Sequence, residues 1–136
     1  MKYIKLLLIG LITILSITLI SGCGLQTGDE FIGTWKSKNA KATDTSYYVI
    51  EKSDKEYTVT YYWMGEASNG SNRFKDTEKK QETAKSINQT LQGSRHKFII
   101  SNNTLIDQNN KTEYIKESDK PMSFNELNTN GYPDPK

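Results

Sequence analysis

The sequence predicts a mainly β domain, arranged as a small antiparallel meander, and two groups of residue runs carry this prediction. Runs 46–52 and 57–63 are rich in β-branched and aromatic residues, and the turn-forming residues 53–56 separate them, which is typical of a hairpin. Further along, residues 96–116 contain three short β-prone runs that are joined by polar, asparagine-rich turns.

The second run of the hairpin alternates in a way that predicts which side chains face inward. Tyr57, Val59, Tyr61 and Trp63 recur at every second position, so they share one face of the strand. We expect this aromatic face to form part of the core.

The other elements follow in chain order from the same kind of pattern. The folded domain is expected to begin at Phe31, in a short β-prone run over 31–36. Residues 37–45 and 64–76 are polar and lack apolar periodicity, and the second stretch contains Asn69-Gly70, so both are predicted to be loops.

Residues 78–92 admit two interpretations. Ala84, Ile87 and Leu91 have the i, i+3, i+7 spacing of a thin helical stripe, which predicts a single helix near 78–92. The alternative is a pair of short strands near 82–87 and 89–92, and we favour it because the elements on both sides are β.

The C-terminal residues 117–136 have a different composition. They hold all three prolines and few large apolar residues, which predicts a polar tail with one helical turn near 123–127. The β domain is therefore predicted to span 31–116.

The first 22 residues have the composition of an export signal. Lys2 and Lys5 form a short positive region, and a fifteen-residue apolar run over 6–20 follows. As a helix this run would measure about 22 Å, which is short of the roughly 30 Å hydrocarbon core. We predict a helical signal peptide over 1–22.

The apolar run ends in Leu19-Ile20-Ser21-Gly22-Cys23, which resembles the lipobox of bacterial lipoproteins. The resemblance implies that the Cys23 thiol takes a diacylglycerol group, that the chain is cut before Cys23, and that residues 23–30 are a flexible tether. It also implies a location at the outward face of the cell membrane, with the lipid as the anchor. Cys23 is the sole cysteine, so disulfides and Cys-based metal sites are excluded.

Charge and motif content exclude several classes of function. Without Lys2 and Lys5 the chain has 16 basic and 16 acidic residues, so no bulk positive charge favours nucleic acid. The one histidine, His96, is predicted in a strand without a relay partner, and no nucleophile elbow or phosphate-binding loop occurs. We expect no enzymatic activity, catalytic residue, metal site, cofactor or nucleic-acid partner.

An aromatic cluster lies within residues 47–63. The face of Tyr57, Tyr61 and Trp63 is expected to be core, whereas Tyr47 and Tyr62 fall on the opposite faces of their strands. Since tyrosine offers a large amphipathic contact area, Tyr47 and Tyr62 are the predicted exposed binding surface.

Gly33-Thr34-Trp35 in a first strand, followed by short antiparallel strands, is similar to the lipocalin-type barrel, and most of all to the small lipocalin-like lipoproteins of bacterial surfaces. The resemblance implies that Trp35 closes one end of the barrel. A barrel this small is expected to be filled by its own side chains.

Two kinds of function follow as expectations. The first is a non-catalytic module that binds a small ligand or an envelope component. The alternative, by analogy of size and location, is a blocker of a membrane or cell-surface protein, as in bacteriocin immunity or the exclusion of conjugative elements. An open apolar cavity favours the first, and a filled barrel with an exposed contact surface favours the second.

Overall fold

The structure is a computed structural model that describes residues 28–136. The predicted signal peptide 1–22, the lipidation site Cys23 and most of the predicted tether therefore lie outside the described residues.

The chain forms a closed barrel of eight antiparallel strands in sequential order, because β1 pairs with both β2 and β8. This confirms the prediction of a mainly β, lipocalin-like barrel. The strands are β1 Gly33–Ser37, β2 Asp44–Ser53, β3 Glu56–Asn69, β4 Asn72–Ile87, β5 Thr90–Gln92, β6 Lys97–Ser101, β7 Thr104–Asp107 and β8 Glu113–Ser118. A 3-10 turn, Asp29–Phe31, precedes β1, and a one-turn helix α1, Phe124–Leu127, follows β8.

Side chains from every strand fill the barrel. The period-2 alternation of β3 holds within the barrel, since Tyr57 and Val59 are buried inside and Tyr61 packs against the same cluster. The prediction that Trp63 is core is wrong, because Trp63 is only partly buried outside this cluster, where its Nε1–H donates to the Asp44 carboxylate at 2.7 Å. The interior cluster comprises Phe31, Trp35, Tyr48, Ile50, Tyr57, Val59, Ala84, Leu91, Phe98, Leu105 and Tyr114.

The helix predicted as one alternative over 78–92 is wrong, and the strand interpretation is confirmed. β4 runs to Ile87 and β5 occupies 90–92. Asn88 and Gln89 between them have φ of 48° and 61°, the two left-handed positions of a tight hairpin turn. The i, i+3, i+7 spacing arose because Ala84 and Leu91 face the core from two different strands.

The predicted loop over 64–76 is also wrong. Its residues continue β3 and β4 beyond the barrel and turn at Gly70, whose φ is 65°. We name residues 66–75 the β3–β4 arm. Apart from the Glu66 N–H, which donates to the Thr43 carbonyl at 3.1 Å, the backbone of the arm pairs within the arm. Both faces meet solvent, so the sequence lacks the apolar alternation that indicates a strand.

The domain is longer than 31–116 at both ends. Gly28 is buried, and Asp29 accepts hydrogen bonds from Lys52 (2.7 Å) and Tyr57 (3.0 Å), so the predicted tether 23–30 is folded from Gly28. At the other end β8 reaches Ser118, and the predicted tail packs on the barrel. We name residues 119–136 the C-terminal strap; it contains the predicted helical turn as α1.

Candidate functional site

The two ends of the barrel differ in chemistry. At one end lie the tight β2–β3, β4–β5 and β6–β7 turns, and the 3-10 turn crosses this closed end, with Phe31 fully buried. At the other end lie the β5–β6 and β7–β8 loops and the β3–β4 arm. We call this second end the polar end, because the ionisable side chains of the interior meet there.

Trp35 lies at the closed end, where the lipocalin resemblance placed it. It is 2% exposed, and its Nε1–H donates a 2.8 Å hydrogen bond to the carbonyl of Phe31. The Lys116 ammonium lies 5.0 Å from the centre of its ring, within reach of a cation–π interaction. These contacts tie the 3-10 turn to β1 and β8.

The polar end holds an imidazole–carboxylate pair that sequence analysis missed. His96 Nδ1 lies 2.8 Å from Oδ2 of Asp107, and the Tyr48 hydroxyl lies 3.2 Å from the same nitrogen. Asp107 is fully buried, and its other oxygen accepts the backbone N–H of Asn109 at 3.0 Å. His96 Nδ1 thus lies within hydrogen-bond distance of both the Asp107 carboxyl and the Tyr48 hydroxyl.

This arrangement explains why His96 is not the isolated strand residue that the sequence predicted. The β6–β7 register pairs Phe98 with Asp107, which brings the carboxylate beside the segment that enters β6. No local sequence signal marks the pair, since its members are 11 residues apart.

Buried tyrosines surround the pair and stay protonated at neutral pH. Burial raises the pKa of Tyr48 far above its usual range, and nearby Tyr114 and Asp107 raise it further. Burial likewise raises the pKa of Tyr114 to about 12. A phenol held neutral in this way is a hydrogen-bond donor and a poor nucleophile. Of the described side chains, only Tyr48 and Asp107 hydrogen-bond the His96 ring, so the cluster joins the β5–β6 loop and the end of β7 to β2.

Little space is left beside this cluster. The cleft lined by Tyr48, Tyr61 and His96 has a volume of about 10 Å³. That volume is on the order of one water molecule. Among the described residues, the space beside this cluster is therefore too small for an organic ligand.

β4 and β5 pair over only three residues each: Lys85 lies opposite Gln92, Ser86 opposite Leu91, and Ile87 opposite Thr90. Beyond them Glu82 bridges the gap with its side chain, because Oε2 accepts the Ser94 hydroxyl (2.9 Å) and the Arg95 N–H (2.7 Å). A Cβ at Gly93 would lie 2.5 Å from the Glu82 carboxyl carbon, so Gly93 lets this carboxylate approach.

The predicted binding residues Tyr47 and Tyr62 point outward, but the prediction that they are exposed is wrong. They are cross-strand partners, and only 7% and 8% of their surfaces are exposed. Leu127 and Tyr132 of the C-terminal strap cover them, with Met64 beside them. The outer aromatic face is therefore a second core, outside the barrel.

Specific polar contacts hold the strap in place. The buried Thr34 hydroxyl donates to the carbonyl of Lys120 (3.0 Å) and accepts the N–H of Met122 (2.9 Å). Further along, Thr77 donates to the Pro133 carbonyl at 2.9 Å, and the Lys75 ammonium lies 5.2 Å from the Tyr132 ring centre. The strap thus runs from the closed end to the base of the arm.

A groove of about 190 Å³ opens between the strap and the barrel. Tyr47 and Tyr132 line it together with the basic side chains of Lys36 and Lys41. Thr45 also lines it, and its buried Oγ1 has no hydrogen-bond partner among the described residues.

β4 presents a long free edge. Its residues 72–84 pair with β3 on one side, and within the described chain no backbone pairs with them on the other side. The arm also exposes Phe74, at 48% of its surface.

Two further findings apply to residues 28–136. No group of three or more His, Cys, Asp or Glu side chains could hold a metal ion there. In the same range, no helix is both long and apolar enough to cross a bilayer.

No protein-family model, curated protein or solved structure matches the chain.

Proposed function

We propose that the protein is an outward-facing lipoprotein, anchored in the cell membrane through Cys23, that acts without catalysis by contacting a membrane or cell-surface protein. The observation that carries this proposal is the filled barrel, which leaves about 10 Å³ beside its polar cluster. Because no ligand fits inside, recognition has to use the outer surface. Of the two expected functions, this favours the protein-blocking one over storage of a ligand in the barrel.

The long hairpin supports the same proposal through its orientation. The described chain begins at Gly28, which packs beside Ser86 near the closed end. The arm tip at Gly70 lies at the opposite end of β4. Along the strand, 72 to 87 measures about 50 Å at roughly 3.3 Å per residue. A tether at residues 23–27 therefore leaves the arm pointing away from the lipid.

Photo-crosslinking in intact cells tests the contact. A photoreactive amino acid at the exposed arm position Ser71 is expected to yield one discrete protein adduct. The matched control carries the same amino acid at Asn103, in the exposed β6–β7 turn at the other end. Equal labelling from both positions, or no protein adduct from Ser71, contradicts the proposal.

The anchor is tested separately. The Cys23→Ala variant is expected to take up no labelled fatty acid, to leave the membrane fraction and to lose the Ser71 adduct. Cys23 is the only thiol that can take the lipid. A wild-type protein without label, or an alanine variant that is still labelled, refutes the lipoprotein assignment.

A second candidate function rests on the groove under the strap. Lys36, Lys41 and the unpartnered Thr45 hydroxyl suit a small anionic envelope component, such as a phosphorylated polyol. Glycerol phosphate is the probe, and it should raise the melting temperature of the wild type more than that of Thr45→Val. An equal rise in both proteins excludes this groove as the binding site.

A further inference from the structure

We infer that the free edge of β4 takes up one extended strand of the partner protein, whose acidic side chains lie on the outer face of the extended sheet. The inference rests on the proposed function, because it specifies how the protein partner is bound.

The first step is the direction of the backbone groups. The two-residue turn makes Asn69 and Asn72 a hydrogen-bonded pair, so the even-numbered residues of β4 direct their N–H and C=O groups to β3. The odd-numbered residues direct theirs away from it. In agreement, the Thr77 N–H is taken by the neighbouring Asp76 carboxylate at 2.9 Å and not by β3.

The outward-directed groups form a regular row. The odd-numbered positions from 73 to 83 place six residues along the edge without interruption, since the β3–β4 register has no bulge. The row contains no proline, and no helix within residues 28–136 covers it, although both devices are common at natural sheet edges. A partner strand could therefore continue the ladder along this edge, except at the Thr77 N–H, which the Asp76 carboxylate already takes.

The second step is charge. The odd-numbered side chains lie on the outer face, because the even-numbered Ala84 and Glu82 pair with the inward-facing Tyr57 and Val59. The outer face carries Arg73, Lys75 and Lys79 and no acidic side chain between 73 and 83.

The inner face of the same stretch has the opposite character. It carries the carboxylates of Asp76, Glu78 and Glu82 and a single base, Lys80. A complementary strand therefore needs acidic side chains on its outer face and apolar or basic side chains on its inner face.

Two of the outer lysines are already positioned by the barrel. The ammonium of Lys79 lies 5.8 Å from the Tyr62 ring centre, and that of Lys75 lies 5.2 Å from the Tyr132 ring centre. These cation–π contacts keep both charges on the outer face without neutralising them. Tyr62, one of the two tyrosines that the sequence proposed as the binding surface, thus positions Lys79, which would contact the partner.

The charge pattern also disfavours a second copy of the chain as the occupant. If two β4 edges paired antiparallel, hydrogen bonding would place odd-numbered residues opposite odd-numbered residues. Registers that oppose Lys79 to Lys79, Lys75 or Arg73 would then place like charges directly opposite, which destabilises the pair, and no register offers an acidic partner on the outer face of β4. The same lysines that attract an acidic strand therefore oppose self-association through this edge.

The test uses the full-length lipidated protein in detergent micelles and fluorescence anisotropy of a labelled ten-residue peptide. The peptide has glutamate at alternate positions, with valine or lysine between them. The matched control peptide has the same composition with its glutamates contiguous. We expect the alternating peptide to bind at least tenfold more tightly than the control.

Two variants of one edge position separate backbone pairing from charge. Gln81→Pro removes an N–H that faces away from β3 and leaves the β3–β4 ladder intact, which is where edge strands tolerate proline. Gln81→Ala keeps that N–H. We expect the proline variant to lose at least tenfold in affinity and the alanine variant to change less than twofold.

Lys79→Glu provides a check that does not depend on how the proline variant folds. It should weaken binding of the alternating peptide at least fivefold and leave the weak binding of the control peptide unchanged. Equal binding of both peptides, or equal affinities of Gln81→Pro and Gln81→Ala, overturns the inference. A dimer of the wild-type protein that Gln81→Pro dissociates also overturns it, in favour of self-pairing.

The failure of this inference differs from the failure of the proposed function. If the Ser71 adduct forms in cells and Gln81→Pro leaves it unchanged, a protein partner exists but does not add a strand to β4. If no adduct forms from Ser71, the proposed function itself fails.

Discussion

Replacing Thr34 by valine should loosen the C-terminal strap and destabilise the whole domain. The Thr34 side chain is fully buried, and its hydroxyl makes two hydrogen bonds, one to the Lys120 carbonyl and one from the Met122 N–H. Valine has nearly the same shape but can make neither bond. Both backbone groups of the strap then lose their partner.

The expected magnitude follows from these two bonds. Each hydrogen bond contributes about 0.5–1.5 kcal/mol, so Thr34→Val should lower the free energy of unfolding by about 1–3 kcal/mol. For a domain of this size that corresponds to a fall in melting temperature of about 4 °C per kcal/mol. Thr34→Ser is the matched control, because it keeps the hydroxyl and loses one methyl group, which costs about 0.8 kcal/mol.

Two measurements distinguish the variants. Thermal unfolding gives the stability, and limited chymotrypsin digestion with mass spectrometry reports cleavage after Phe124 and Leu127 in the strap. We expect faster cleavage in Thr34→Val and wild-type protection in Thr34→Ser. If the valine variant melts and resists protease like the wild type, Thr34 does not hold the strap and this reasoning is refuted.

Three further predictions concern the interior. Trp35→Ala should lower the free energy of unfolding by about 3–5 kcal/mol, because the substitution empties a fully packed site at the closed end. A urea titration that finds a loss below about 1 kcal/mol contradicts this prediction. His96→Ala and Asp107→Ala should each cost about 1–3 kcal/mol, because the first leaves the fully buried Asp107 without its imidazole partner and the second removes the partner of both the His96 ring and the Asn109 N–H. The double variant should cost less than their sum, since both changes break the same contact; additive losses in the cycle would show that the pair is not coupled. Folding raises the pKa of Tyr114 from 10 to about 12, so the protonated phenol stabilises the folded state fully below pH 10. This stabilisation is lost as the pH rises to 12, which should lower the free energy of unfolding by about 2–3 kcal/mol. An unchanged denaturation midpoint between about pH 9 and pH 12 argues against this prediction.

The sequence by itself determined the β class, most of the strands and several of the turns. Alternation along a strand is a local property, so the inward face of Tyr57, Val59 and Tyr61 could be predicted from β3 alone. The closed-end position of Trp35 could be predicted from its resemblance to a family. The signal peptide and Cys23 remain predictions from sequence, because they lie outside the described residues.

Only the tertiary structure decided what covers each face. Alternation correctly placed Tyr47 and Tyr62 outside the barrel, but it carries no information about Leu127 and Tyr132, which follow much later in the chain and pack over them. The strap appeared to be a polar tail because its few apolar residues, such as Leu127 and Tyr132, are too sparse to form a periodic pattern.

The sequence did not predict the arm or the polar cluster, for related physical reasons. A hairpin with solvent on both faces needs no apolar alternation, so residues 66–75 resemble a loop in sequence although their backbone forms a regular ladder. The contact between His96 and Asp107 depends on the pairing of β6 with β7 and on the closure that brings both side chains beside Tyr48. Local sequence specifies which residues can form a strand, whereas register and closure specify which side chains meet.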